Sequence, residues 1–94
     1  NNGANMKCLM IQTKDNRKLF THQKNYKHLL EYIKTFKAKV FLVNIDKNQK
    51  ILDLNKLVSA LCDKNFKVKN LNFEIIEIKN KIKICLKISH LCLC

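Results

Sequence analysis

Two spacings of apolar residues alternate along the chain. Lys7-Cys8-Leu9-Met10-Ile11-Gln12-Thr13 reads as a β-strand, and Lys18-Leu19-Phe20-Thr21 as its partner across a Lys14-Asp15-Asn16-Arg17 turn. The spacing then becomes helical. Tyr26, Leu29, Leu30, Ile33 and Phe36 lie on one stripe of an amphipathic helix, with Lys24, Lys27, Glu31 and Lys34 on the other side. Thr21 or Asn25 is placed to cap it, because either side chain can accept a hydrogen bond from the free amides of the first turn. The pattern recurs with a strand at Lys39-Val40-Phe41-Leu42-Val43-Asn44, a turn at Asp46-Lys47-Asn48-Gln49 and a strand at Lys50-Ile51-Leu52. Asp53 then caps a second helix whose stripe is Leu54, Leu57, Val58 and Leu61.

Shifted by about 32 residues, the two halves superpose: Lys7 falls on Lys39, Asn16 on Asn48, Lys18 on Lys50, Leu19 on Ile51 and Thr21 on Asp53. The spacing predicts two ββα units, 6–37 and 38–65. A C-terminal β-hairpin over 66–90 follows, built from Phe66-Lys67-Val68, the run from Phe73 to Ile78, an Asn80 turn, and Ile82, Ile84, Leu86 and Ile88 in strict alternation. Ile75, Ile78, Ile82 and Leu86 also fit a helical stripe, which leaves a helix over 74–88 as the competing reading. The expected fold is α+β in the order β-β-α-β-β-α-β-β. Its antiparallel sheet has about five to six strands built from hairpins, with the two amphipathic helices on one face and the other face open.

Composition sharpens the turns. The chain has no proline and a single glycine, Gly3, so its turns must reach left-handed backbone angles with Asn or Asp. Asn16, Asn48 and Asn80 stand at the three expected hairpin tips. Ninety-four residues suffice for one hydrophobic core. Residues 1–5 read as a disordered leader or tag remnant, and 6–94 as a single domain. No apolar run reaches the ~18 residues of a membrane span, and the N-terminus lacks the basic and apolar regions of a signal peptide. A cytoplasmic protein without a membrane span is expected.

The formal net charge of +12 suggests a polyanionic partner, RNA or DNA, held through its phosphates. Of the nineteen basic residues only Arg17 is arginine. The Lys-, Asn- and Ile-rich alphabet is one that an AT-rich genome writes, yet acidic residues number only seven. Lysine acts as a point charge where arginine reads guanine edges in a bidentate fork, so the composition points to backbone contact with low sequence specificity. The candidate contacts are Arg17 and Lys18 at the first hairpin, and Lys67, Lys69, Lys81, Lys83 and Lys87 as a basic stripe on the open sheet face. Phe20, Phe41 and Tyr32 are candidates for a platform on which bases stack.

Other chemistry is sparser. Cys8, Cys62, Cys85, Cys92 and Cys94 make an odd set without a secretory signal, so free thiols are expected, with Cys8 and Cys62 packed in the core. Cys85, His90, Cys92 and Cys94 lack a paired Cys-x-x-Cys knuckle, and no metal or other cofactor is expected. The terminal Cys92-Leu93-Cys94 resembles the double prenylation signal of Rab-type small GTPases, whose nucleotide-binding motifs are absent from the chain. His22 and His28, near Arg17, Lys18 and Tyr26, are the residue types from which small basic ribonucleases build acid–base sites. A nucleic-acid-binding protein is the leading expectation. The alternatives are a protein-interaction or inhibitor domain and, behind it, a small ribonuclease-like enzyme.

Overall fold

The computed structural model describes residues 5–68 and 71–76. β1 (Asn5–Gln12) and β2 (Lys18–Thr21) form the first hairpin, and a single 3-10 turn (Gln23–Asn25) leads into α1 (Tyr26–Thr35). β3 (Lys39–Asp46), α2 (Leu54–Cys62) and β4 (Phe73–Ile75) follow. The strands form one antiparallel sheet in the order β2-β1-β3-β4. The α+β class and both helices agree with the sequence pattern. The described sheet has four strands rather than five or six. The expected strand from Ile82 to Ile88 and the Asn80 turn lie outside the described residues, as does most of the competing helix, although its first two positions, Glu74 and Ile75, are in β4. Asn5, expected in a leader, opens β1 opposite Asp46.

The first hairpin forms as expected. Asn16 takes a φ of 69°, its N–H donates to the Thr13 carbonyl (2.9 Å), and the Thr13 N–H donates to the Arg17 carbonyl (3.0 Å). This is the tight turn followed by a left-handed residue that closes three-residue hairpin loops. Asn48 does not repeat it. There Asp46 closes the turn, its carboxylate accepting from the Asn48 N–H and its carbonyl from the Gln49 N–H, both at 2.9 Å. Such an Asx turn needs no left-handed residue.

The second hairpin is also absent, because Lys50-Ile51-Leu52 forms no strand. Only these three residues separate the Asp46 turn from the Asp53 cap, and their side chains divide. Ile51 packs into the core on one face of the sheet and Leu52 into the core on the other. A three-residue edge strand gains one or two ladder bonds of about 1 kcal/mol each, whereas burying two large aliphatic side chains contributes more. The edge of β3 is filled from further along the chain: β4 pairs there, with Val43 opposite Ile75 and Ile45 opposite Phe73. Phe66-Lys67-Val68 is likewise no strand. After α2 the chain turns, with the Phe66 N–H on the Asp63 carbonyl (3.1 Å) and the Asn65 N–H on the Asp63 carboxylate (2.9 Å). That turn sends Phe66 and Val68 inward against the helices.

Helix ends explain themselves locally. Asp53 caps α2 by accepting the Lys56 N–H at 2.9 Å, as expected. Neither Thr21 nor Asn25 caps α1. Instead the Asn25 amide donates to the Thr21 hydroxyl at 3.1 Å, giving that fully buried oxygen its partner. The far end of α1 closes with the Ala38 N–H on the Ile33 carbonyl (3.0 Å) and the Lys37 N–H on the Lys34 carbonyl (3.2 Å), while Lys37 takes a φ of 51°. This is a Schellman closure with lysine in the left-handed position that glycine usually fills. Phe36 sits at that end, 36% exposed rather than on the buried stripe.

The core lies on both sides of the sheet. On one side Leu9 and Ile11 of β1, with Leu19 and Val40 beside them, meet Leu29 and Ile33 of α1 and Leu57, Ala60 and Leu61 of α2. The side expected to be open is closed as well: Cys8, Met10, Phe20, Val43 and Ile45 are buried there, with Ile51 and Leu71 packed against them. β1 and β3 carry the unbroken apolar runs Cys8-Leu9-Met10-Ile11 and Phe41-Leu42-Val43, so both of their faces must leave water. No helix among the described residues is long and apolar enough to cross a membrane.

Candidate nucleic-acid interface

Every lysine among the described residues is exposed. Among those residues the one ion pair joins Arg17 to Asp15, so the lysine charges stand without carboxylate partners. They cover several surfaces, and tertiary structure gathers two groups of them into clefts. Chain reversal after α2 lays the segment around Phe66 beside β2. This forms a cavity of about 440 Å³ rimmed by Lys18, Lys64 and Lys67 and floored by Phe20, Phe66, Val68 and Leu71. A second cavity, of about 660 Å³, shares that floor and Lys67, and adds Lys50 and Lys56 on its far rim. Together they make a groove with cations along its sides and apolar side chains beneath.

A smaller cleft of about 310 Å³ collects Lys14, Lys37 and Lys39 where the first hairpin turn meets the end of α1. Both left-handed residues, Asn16 and Lys37, line it. Its remaining walls, Gln12, Thr13 and Asn16, are polar, so it offers no surface for a base.

Of the contacts expected from sequence, Arg17, Lys18 and Lys67 meet at the first cavity. Arg17, however, is turned inward. Its Nη1 donates to the Ala60 carbonyl at 2.6 Å and to the carbonyl of Asp63, and its Nε donates to Asp15 at 2.9 Å. The guanidinium therefore satisfies the C-terminal end of α2, where a positive charge also meets the negative end of the helix dipole. It ties the first hairpin turn to α2 and leaves the lysines as the outward-facing charges. Asp15, the one carboxylate on this cavity, is held ionised, its pKa lowered first by the Thr13 hydroxyl and then by Arg17. Lys69, Lys81, Lys83 and Lys87 lie outside the described residues.

The groove's other cations, Lys50, Lys56 and Lys64, were not among the contacts expected from sequence. Lys50 and Lys56 come from the turn region and α2, and no local pattern marks them. Lys64 stands in Lys64-Asn65-Phe66-Lys67, a basic stretch around an aromatic residue, which is a legible signal. The stacking platform expected from Phe20, Phe41 and Tyr32 does not form. Phe20 and Phe41 are buried, Phe20 against the Phe73 ring at 5.1 Å, and Tyr32 packs on the helix-side core. Phe66, half-buried, is the aromatic residue shared by both cavities that retains exposed surface.

His22 and His28 are exposed, and the residues expected beside them serve elsewhere: Arg17 holds α2, and Tyr26 packs over Leu9 and Leu42. Cys8 is buried, and burial pushes its thiol up to about 11. Cys62, expected in the core, is exposed, because the buried side of α2 runs through Leu57, Ala60 and Leu61. Both are free thiols. No group of metal-ligating side chains occurs among the described residues, and the Cys85–Cys94 tail lies outside them. Comparison with known protein families, with curated proteins and with solved structures finds no match for this chain.

Proposed function

We propose that the protein is a small, non-enzymatic nucleic-acid-binding protein that holds the phosphate backbone with low sequence specificity. The observation that carries this reading is the groove beside β2, where Lys18, Lys50, Lys56, Lys64 and Lys67 converge without an ion pair among the described residues. Lysines so placed release condensed counterions when phosphates replace water around them, and the released ions supply most of the affinity. The sole arginine faces inward, so a bidentate reader of guanine is missing from the groove, and affinity varies little with sequence. Free thiols at Cys8 and Cys62 suit a reducing, cytoplasmic setting.

Electrophoretic mobility or fluorescence anisotropy with random RNA and DNA, as a function of salt, tests the reading. Binding is expected at low ionic strength and weakens steeply between about 50 and 200 mM salt. The double variant Lys64→Glu, Lys67→Glu lowers the salt slope by about 1 per lost phosphate contact. The same exchange at Lys24, in the 3-10 turn, and Lys27, on α1, has the smaller effect. No binding at low salt overturns the proposal.

A further inference from the structure

The groove is more than a row of charges, and its floor bears on which nucleic acid it takes. Phe66 is common to the floor of both cavities and is only half-buried, as are Val68 and Leu71 beside it. A duplex hides the faces of its bases in the stack and presents base edges, sugar and phosphate. A single strand offers both phosphates and an apolar base face.

We infer that the groove accommodates single-stranded nucleic acid, with phosphates along Lys18, Lys64 and Lys67 and an unpaired base against Phe66. The inference rests on the nucleic-acid-binding reading and narrows its substrate class. Two features support it. The first is charge complementarity: the rim is cationic, and its single carboxylate, Asp15, is already occupied by Thr13 and Arg17. The second is the anchoring of the aromatic residue. The Asp63 turn fixes the backbone of Phe66 through two hydrogen bonds, from the Phe66 N–H and the Asn65 N–H, so little ordering remains when a base arrives. The cleft of Lys14, Lys37 and Lys39, by contrast, has cations and polar walls alone.

The sign of the strand preference decides the matter. Purely electrostatic binding favours the duplex, whose charge density is higher. Contact with bases reverses that order, because base–aromatic stacking contributes about fivefold or more in affinity per base to the single strand alone. Single-stranded oligo(U) and oligo(dT) are titrated against a duplex of equal length at fixed salt. Phe66→Trp gives the chain its only tryptophan and a direct optical report; Phe66→Leu keeps apolar volume without an aromatic face.

The expected result is tighter binding of the single strands, quenching of the Phe66→Trp emission by oligo(dT), and loss of most of the single-strand preference in Phe66→Leu with duplex binding intact. Equal or tighter duplex binding, or unquenched emission on saturation, overturns the inference while leaving backbone binding standing. Competition by poly-L-glutamate as effective as that by oligo(dT) also overturns it, in favour of an acidic polypeptide partner. Failure to bind any nucleic acid at low salt removes the inference together with the reading beneath it.

Discussion

Arg17 shows how a residue singled out for one role by its charge takes another by its position. It is the only arginine in a lysine-rich chain, and the structure uses its planar fork to hold two carbonyl oxygens at the end of α2 while Nε pairs with Asp15. Arg17→Ala is expected to cost about 1.5–3 kcal/mol, the range for hydrogen bonds made by a charged group, measured by urea denaturation. Arg17→Lys recovers less than half, since an ammonium cannot reproduce the fork. Asp15 adds an acid limb. Its carboxylate pKa is lowered in the folded protein, so its stabilisation is complete above the ordinary carboxylate range and is lost as pH falls through the lowered folded value. Cys8 has the opposite sign. Its thiol is raised from 9.0 to about 11, so the native state loses stability as pH rises above 9 and through that value. Alkylation at pH 8, mapped by mass spectrometry, should label the exposed Cys62 quickly and Cys8 only as fast as the chain unfolds. Protection of Cys62 or rapid labelling of Cys8 would contradict the packing of β1 and α2 described above.

At the scale of elements, the sequence pattern identified those whose stability is local and misread those that depend on distant partners. β1, β2, α1, β3 and α2 follow from spacing, from Asp53 as a cap and from Asn16 as the left-handed turn residue. The second hairpin fails because Ile51 and Leu52 each find a core, and Phe73–Ile75 takes the vacant edge of β3. The two halves offset by about 32 residues therefore differ in their hairpins. β1 and β3 form the central pair and each precedes a helix, but the outer strand is supplied locally in the first half and from beyond α2 in the second. Lys37 marks another element boundary. A non-glycine residue at a φ of 51° is strained, and Lys37→Gly is expected to stabilise the protein by about 1 kcal/mol, read as a raised urea midpoint with unchanged slope. A lowered midpoint would show that the lysine side chain repays the strain.

For the whole molecule, the decisive property is that the sheet is apolar on both faces. Its signal was present in the four-residue run Cys8-Leu9-Met10-Ile11, which is continuous where a half-exposed strand alternates. A one-sided strand there implies an open face for a basic stripe. With no such face at β1 or β3, the lysines that line the groove come from the start of β2, from α2 and from the segments beside it, and there they meet an apolar floor.

Sequence by itself determined what depends on near neighbours: the α+β class, most of the described elements, one of the turns, a helix cap and a large unbalanced positive charge. Tertiary structure alone decided which strands share an edge, that Arg17 faces inward, and which lysines stand together. Periodicity records whether a residue avoids water, since that is set by its own side chain. Which partner it finds depends on chain reversals tens of residues away, and these leave no local pattern.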